Sequence, residues 1–347
     1  MGRSKGAAIL MSNFRSGRSL EFHIWAMVPI PYLRRGSELR QSWKEALLVS
    51  KFPFSLPAVV IGAALSSSLA LMPQGASAAD KPAPATKVSA DAMVGQGMIL
   101  YSKGDMNGAL AAFSKAIEAN PKHAIAYTNR GLIRYKLGDL DGALADHNKA
   151  IEIDPKLPEA YTNRGGAKLA KGDINGAIAD HTEALKINPK LTSALSNRGL
   201  AYLRQGNLEK ALEDLNQALK LDPFDPEAYA NRAGVYLGKK NLPESVKDAS
   251  KAILLNPKLA EAYNIRGAAF YENNQPKDAL NDLNKALELN PKMALAYINR
   301  GIIRVEQKEF AKGLQDLNKG LEYAPNLRPM AATWIKEAEE GMKAAKK

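Results

Sequence analysis

The sequence predicts an all-α solenoid, made of tandem helix–turn–helix repeats and closed by a C-terminal capping helix. The first observation is a 34-residue pattern that recurs seven times over residues 90–327 without insertion or deletion. A proline closes each copy, at Pro121, Pro155, Pro189, Pro223, Pro257, Pro291 and Pro325. The second is that each copy holds two apolar patterns of helical spacing, separated by a short turn. Because a single helix pair cannot bury its apolar face, the copies must stack on one another.

Residues 124–157 illustrate how one repeat forms its two helices. Tyr127, Gly131 and Tyr135 recur at helical spacing in the first half, and a second amphipathic run follows the turn. Gly138 can take the left-handed conformation that ends the first helix, while Asp139 can cap the start of the second. The same turn chemistry recurs in most copies, so each repeat is predicted to be a helix hairpin.

At these positions the chain resembles the tetratricopeptide repeat family. The order of an aromatic or leucine, Gly, Tyr, then Ala, an aromatic or leucine, Ala and a closing Pro matches the family motif over 90–327. The resemblance implies a right-handed superhelix with a concave inner surface, and a protein-interaction scaffold rather than an enzyme. It does not identify the partner, because one fold serves many functions.

Two polar positions occur together in the repeats and predict a contact between the two helices of each repeat. Repeats two to seven carry Arg at position seven: Arg130, Arg164, Arg198, Arg232, Arg266 and Arg300. They carry Asp at position twenty-three: Asp146, Asp180, Asp214, Asp248, Asp282 and Asp316. Repeat one has Gln96 and Ala112 instead. Since both residues are lost together, we expect six Arg–carboxylate bridges that fix the register of the helices.

Asparagine recurs at position six of the first helix and predicts a peptide-binding ladder. The family resemblance implies that positions two, five, six, nine and twelve of the first helix face the concave surface. A similar asparagine ladder lines the superhelix of O-linked N-acetylglucosamine transferase, where it holds the backbone of an extended peptide. An amide both donates and accepts hydrogen bonds, so it can bind any peptide unit. The predicted peptide-binding residues are Asn129, Asn163, Asn197, Asn231 and Asn299, with Thr128, Thr162, Tyr135, Lys136 and Arg204 around them.

The sequence offers no catalytic, cofactor or metal motif. It has no cysteine and four histidines. His147 and His181 occupy equivalent positions in repeats two and three, where other repeats carry apolar residues. We therefore expect two partly buried histidines in helix packing rather than metal ligands, since no further ligands have metal spacing. No phosphate loop or nucleophile elbow is present, so we expect no enzymatic activity and no cofactor.

Composition and charge are those of a soluble repeat protein. The chain is 46% hydrophobic and 24% charged, with a mean hydropathy of −0.29 and a formal charge of +12. Residues 1–78 hold nine basic and three acidic residues, a net +6 that leaves +6 for the remainder. The basic residues of the array form no continuous stripe with stacking aromatics, so we expect no nucleic-acid partner.

Residues 51–78 have the pattern of a secretory signal peptide or membrane anchor. Lys51 precedes an apolar run over residues 54–72, and Ala76-Ser77-Ala78 offers a cleavage site. The basic extension 1–50 in front is either translated from too early a start, with Val49 as the true start, or a transit segment. The linker 79–89 is rich in Pro and Ala. We expect export to the periplasm or outside, or else membrane anchoring with the repeats outside the cytosol, or an organelle lumen.

Residues 328–347 are predicted to form a capping helix and a basic tail. Met330, Trp334, Ile335, Ala338 and Met342 make one apolar face, and we expect Trp334 to pack on the last repeat. Taken together, the sequence predicts a cell-envelope scaffold that binds an extended segment of a protein partner in its concave groove. The alternative is a structural assembly subunit or accessory factor of a membrane-bound export or glycan-processing complex.

Overall fold

The computed structural model describes residues 89–345. The predictions for residues 1–50 and 51–78, and for the linker up to residue 88, lie outside the described residues. Over residues 89–345 the chain forms fifteen α-helices and no strand. Within the same range, no helix has the length and apolar character that crossing a membrane requires.

Seven helix hairpins follow one another along the chain, as predicted. Their first helices are α1 (Ala90–Ser102), α3 (Ala124–Lys136), α5 (Pro158–Lys171), α7 (Thr192–Gln205), α9 (Pro226–Gly238), α11 (Ala260–Glu272) and α13 (Ala294–Glu306). Their second helices are α2 (Met106–Ala119), α4 (Leu140–Ile153), α6 (Ile174–Ile187), α8 (Leu208–Leu221), α10 (Leu242–Leu255), α12 (Pro276–Leu289) and α14 (Phe310–Tyr323). Each helix packs mainly on its neighbours in sequence, which confirms the all-α solenoid.

The turn inside a repeat is built from the predicted glycine and aspartate. Gly138 ends the first helix of repeat two with a φ of 86°, a conformation that favours glycine. The Asp139 carboxylate then accepts a hydrogen bond from the backbone N–H of Gly142 at 2.9 Å and caps α4. Capping therefore accounts for this Gly-Asp turn, and the equivalent Asp105 and Asp173 cap α2 and α6 in the same way.

The predicted Arg–Asp bridges are present in all six repeats that carry the pair. Each guanidinium binds its carboxylate through two hydrogen bonds, with Nε–Oδ2 distances of 2.6–2.9 Å and Nη2–Oδ1 distances of 2.7–3.0 Å. The six aspartates are only 2–6% exposed. The bridge therefore joins the first and second helices of a repeat through a nearly buried carboxylate.

Each arginine also reaches the preceding repeat, which the sequence did not predict. Its Nη1 donates to a polar side chain on the second helix of that repeat at 2.7–3.4 Å. The acceptors are Ser114, Asn148, Thr182, Asn216, Ser250 and Asn284. One arginine thus holds three helices together, and this explains why repeat one, which follows no other repeat among the described residues, can lack it.

A last helix closes the C-terminal end of the stack. A 3₁₀ turn (Pro325–Leu327) leads into α15 (Arg328–Ala344). Trp334 is buried and belongs to one apolar cluster with Leu317 and Leu321 of α14 and with Ile298 of α13. The predicted capping helix is therefore present, and Trp334 packs on the last repeat as expected.

Candidate peptide-binding face

The asparagine ladder runs along the first helices of five repeats. Because the repeats are 34 residues long throughout, the asparagines occupy the same place on α3, α5, α7, α9 and α13. Ile265 takes this place on α11, as the sequence shows. The structure therefore presents an asparagine at this place in repeats two to five and in repeat seven, in a row that is interrupted at repeat six.

The structure corrects the expectation that these side chains line an open groove. The five ladder asparagines are only 0–8% exposed. The reason is that successive first helices contact each other directly on this side. Asn299 Nδ2 donates to Asn264 Oδ1 at 3.2 Å, and Arg204 Nη1 donates to the carbonyl oxygen of Leu169 at 3.2 Å, in each case between neighbouring first helices. The ladder lies inside this packing and not at a solvent-filled surface.

Most of the ladder amides have no hydrogen-bond partner within the described residues. The unpartnered amide nitrogens are those of Asn129, Asn163, Asn197 and Asn231. The Oδ1 atoms of Asn163 and Asn299 are also without a partner. A buried donor without an acceptor costs about 1–3 kcal/mol, so a row of such amides is a destabilising feature that recurs in four repeats.

The residues predicted around the ladder lie beside it, but several of them already make hydrogen bonds or other contacts within the protein. The Thr128 and Thr162 hydroxyls donate to the carbonyl oxygens of Ala124 and Pro158, at 3.0 and 2.9 Å. Tyr135 is buried, whereas Lys136 is partly exposed and lies over the ring of Tyr101. These contacts leave the asparagine amides as the main unused hydrogen-bonding groups of this face.

Arg204 is the least expected member of the predicted site. Its side chain is 2% exposed, and burial lowers the pKa of its guanidinium well below the usual value. The sequence predicted a basic residue beside the ladder in an open groove. The structure instead places this arginine in the packing between first helices, where its Nη1 donates to the carbonyl oxygen of Leu169 on α5. Its guanidinium is therefore buried on the inner side of repeats three and four.

The two equivalent histidines are buried completely, more than the sequence predicted. Both ring nitrogens of His147 and of His181 lack a hydrogen-bond partner. Burial lowers their pKa to about 3, so both are neutral at physiological pH. A Cβ on Gly131 would lie 2.6 Å from Cε1 of His147, which explains why glycine faces it. Among the described residues no group of three or more potential ligands could hold a metal ion.

Comparison with known proteins supports the helical repeat architecture. A family model described as "TPR repeat" matches residues 97–138, 131–172 and 165–206. A second model, described as "Tetratricopeptide repeat", matches residues 192–225 and 260–293, which coincide with repeats four and six. No curated protein is similar enough to match the sequence.

Solved structures with a similar fold share little sequence with this chain. The APC/C hetero-tetramer Cut9–Hcn1 is 20% identical with a TM-score of 0.64; the match covers 72% of this chain and 49% of that one. A tetratricopeptide repeat protein from Parabacteroides merdae is 23% identical with a TM-score of 0.56, covering 72% and 98%. PilF from Pseudomonas aeruginosa is 17% identical with a TM-score of 0.50, covering 60% and 94%. At these identities the likeness concerns the fold alone.

Proposed function

The chain belongs to the tetratricopeptide repeat family, and from this premise we propose that it is a non-enzymatic scaffold for a protein partner. Solenoids of this kind use their extended concave surfaces for binding. In this protein an extended segment of the partner lies along the first helices of repeats two to seven. The asparagine ladder holds the backbone of that segment.

The unpartnered ladder amides carry this proposal. A buried amide that finds no acceptor in its own protein destabilises the fold, and a peptide carbonyl supplies the missing acceptor. Backbone recognition of this kind tolerates many side chains, which suits small neighbours such as Thr128, Thr162 and Ala230. The peptide therefore needs an extended backbone more than a particular sequence.

Because the ladder is buried, the array must open before a peptide can bind. Opening separates neighbouring first helices, which breaks contacts such as the hydrogen bond from Asn299 to Asn264. A solenoid can do this through small rotations between repeats, since each repeat contacts only its neighbours. We therefore expect the radius of gyration, measured by small-angle X-ray scattering, to increase when the partner binds.

The test replaces two ladder residues by the residue that the chain itself uses at this position. Asn163→Ile together with Asn197→Ile copies Ile265, which is 2% exposed in repeat six. Partners are first identified by co-purification and mass spectrometry, and their binding to wild-type and variant protein is then measured by calorimetry. We expect the double variant to fold and to lose at least about tenfold in affinity, since two backbone hydrogen bonds are removed.

A matched control is Asn281→Ile, which replaces an exposed asparagine on the second helix of repeat six. This variant is expected to bind as the wild type does. If the ladder variant keeps full affinity, the partner does not use the inner face. The chain would then serve as an assembly subunit or accessory factor that binds through its outer helices or α15.

We place this scaffold in the cell envelope, on the strength of the signal-like residues 51–78. Fractionation of cells, followed by N-terminal sequencing of the native protein, tests the location and the start of the mature chain together. Export predicts a mature N-terminus near Ala79 in the exported fraction. Recovery in the cytosol with residues 1–40 still attached would rule out both export and a late start.

A further inference from the structure

We propose that one edge of the array docks on an anionic lipid surface. This edge is where α6, α8 and α10 end, and its apolar residues are Ile187, Leu221, Phe224 and Leu254, together called the edge patch. The proposal concerns the turns between repeats rather than the ladder, and it stands whether or not a peptide binds the inner face.

The edge patch holds the two most exposed large apolar side chains of the described residues. Phe224 and Leu254 are each 72% exposed, and Leu221 and Ile187 are 39% and 38% exposed. Single exposed apolar residues are common on protein surfaces. Ile187 and Leu221 occupy the same position in repeats three and four, Leu254 lies at the end of the corresponding helix of repeat five, and Phe224 lies in the turn after Leu221, so all four are on one edge of the array. A group of this kind indicates a surface that is covered in use.

Comparison among the repeats shows that Phe224 and Leu254 are exceptions at their positions. The position of Phe224 holds lysine in five other repeats: Lys122, Lys156, Lys190, Lys258 and Lys292. The position of Leu254 is charged in all six other repeats: Glu118, Glu152, Lys186, Lys220, Glu288 and Glu322. Since a charged residue fits the fold at both positions, packing does not require Phe224 or Leu254. Phe224 stands in place of the usual lysine between repeats four and five, and Leu254 stands in place of a charged residue near the end of repeat five.

The local structure holds Phe224 in a fixed turn. Its backbone N–H donates to the Asp222 carboxylate at 3.0 Å. The next residue, Asp225, caps α9 by accepting from the N–H groups of Glu227 and Ala228 at 2.9 and 3.0 Å. The two aspartates near the ring are thus engaged in turn and cap hydrogen bonds. The aromatic ring is thus exposed on a hydrogen-bonded turn.

Five lysines occupy the ends of the same helices or the turns that follow them. They are Lys186, Lys190, Lys220, Lys251 and Lys258. Lys186 pairs with Glu183 at 2.7 Å, whereas no ion pair within residues 89–345 engages Lys190, Lys220 or Lys258. Lysine favours the interface of an anionic membrane because its chain can lie along apolar groups while the ammonium reaches the headgroups. Apolar residues ringed by lysine are typical of proteins that lie on such membranes.

The exposure of the side chains favours a lipid surface over a protein helix. A helix-binding groove half-buries its apolar residues in its own walls, whereas Phe224 and Leu254 project freely from a turn and a helix end. A projecting ring can enter the fluid boundary between headgroups and acyl chains without a preformed pocket. Charge complementarity then selects anionic lipid over neutral lipid.

The experiment measures co-sedimentation of the full chain with vesicles of phosphatidylcholine, with or without phosphatidylglycerol. The variant combines F224K and L254E, which restore residues found at these positions in other repeats and leave the net charge unchanged. We expect the wild type to prefer the anionic vesicles and the variant to lose about tenfold or more in partitioning, since two apolar side chains no longer enter the interface. The matched control is L137Q, which removes a 50% exposed leucine at the turn within repeat two without changing the net charge and should partition as the wild type does.

A local probe separates the edge patch from any other lipid-binding part of the chain. In the F224W variant, brominated lipids should quench the fluorescence of the new tryptophan beyond the quenching seen in the wild type. Absence of this extra quenching, or equal partitioning of wild type and the double variant, would overturn the proposal. So would analytical ultracentrifugation showing a dimer that F224K and L254E abolish, because the patch would then join two copies of the chain.

Discussion

Two neighbouring positions of the first helices carry polar side chains that differ in their hydrogen bonding. At position seven, each arginine donates to a carboxylate of its own repeat and to a polar side chain of the preceding one. At position six, the amide nitrogen is buried without any acceptor in four repeats. A repeated polar residue that is fully hydrogen-bonded serves the architecture. A repeated polar residue that is buried and unpartnered costs stability, and so favours a role outside the stack.

The largest expected effect comes from breaking a bridge in which the aspartate has a single cation. Asp214 is 4% exposed and is held by Arg198 at 2.7 and 2.8 Å. Arg198→Leu leaves this carboxylate buried without a partner and should lower the free energy of unfolding by about 3–5 kcal/mol. Urea unfolding followed by circular dichroism measures the loss.

The companion variant replaces both members of that bridge. Arg198→Leu with Asp214→Leu leaves no buried charge, so it should cost less than Arg198→Leu alone. The double-mutant cycle isolates the pairwise term. Losses that simply add would show that the two residues act independently in solution and that the bridge does not fix the helix register.

A second test concerns the buried histidines, which resemble the ladder in lacking partners. Their pKa is about 3 in the folded protein and about 6.5 in the unfolded chain, so the unfolded chain takes up protons first as the pH falls. The free energy of unfolding therefore has its full value above pH 6.5 and decreases as the pH falls from 6.5 toward 3. At pH 5, each histidine should lower the free energy of unfolding by about 2 kcal/mol relative to its value at pH 7.

The control for the acid effect is His147→Leu with His181→Leu. Leucine occupies the equivalent position in repeats four, six and seven, again opposite a glycine. Urea unfolding at pH 7 and pH 5 should show a much smaller difference for this variant than for the wild type. Equal differences for both proteins would mean that the imidazoles already bind protons in the folded state.

A third test compares two bridges that differ in their second cation. Asp146 is held by Arg130 and also by Arg134, whose Nη1 lies 3.0 Å from Oδ2. In Arg130→Leu the Asp146 carboxylate therefore keeps Arg134 as a cationic partner. This variant should lower the free energy of unfolding by about 1–2 kcal/mol, less than Arg198→Leu does. The same urea titration ranks the two variants. The reverse order would show that contact with the preceding repeat, and not charge pairing, dominates the role of these arginines.

The same two positions show what the sequence could and could not predict. The bridges were predictable because repeat one carries Gln96 and Ala112 in place of the Arg and the Asp, so both members of the pair are lost together within the chain itself. The third contact, from Arg198 to Thr182, was missed because serine, asparagine and threonine alternate at the acceptor position without a matching change in the arginine. The burial of the ladder was also missed. It depends on the distance between neighbouring first helices, which is set by many side-chain contacts together and not by any one residue.

The smallest expected effect tests whether the ladder amides are truly unpartnered in the free protein. Both side-chain atoms of Asn163 lack a partner, so Asn163→Ile removes two unsatisfied groups and should stabilise the protein by about 1 kcal/mol. Asn299 instead donates to Asn264 at 3.2 Å, so Asn299→Ile breaks a buried hydrogen bond and should destabilise the protein by a similar amount. Thermal unfolding of the two variants measures the direction of both changes in stability. If Asn163→Ile proves destabilising, its amide is already bound to a group that the folded chain does not supply. Repeating the measurement after purification under denaturing conditions and refolding would then show whether that group is a ligand carried through purification.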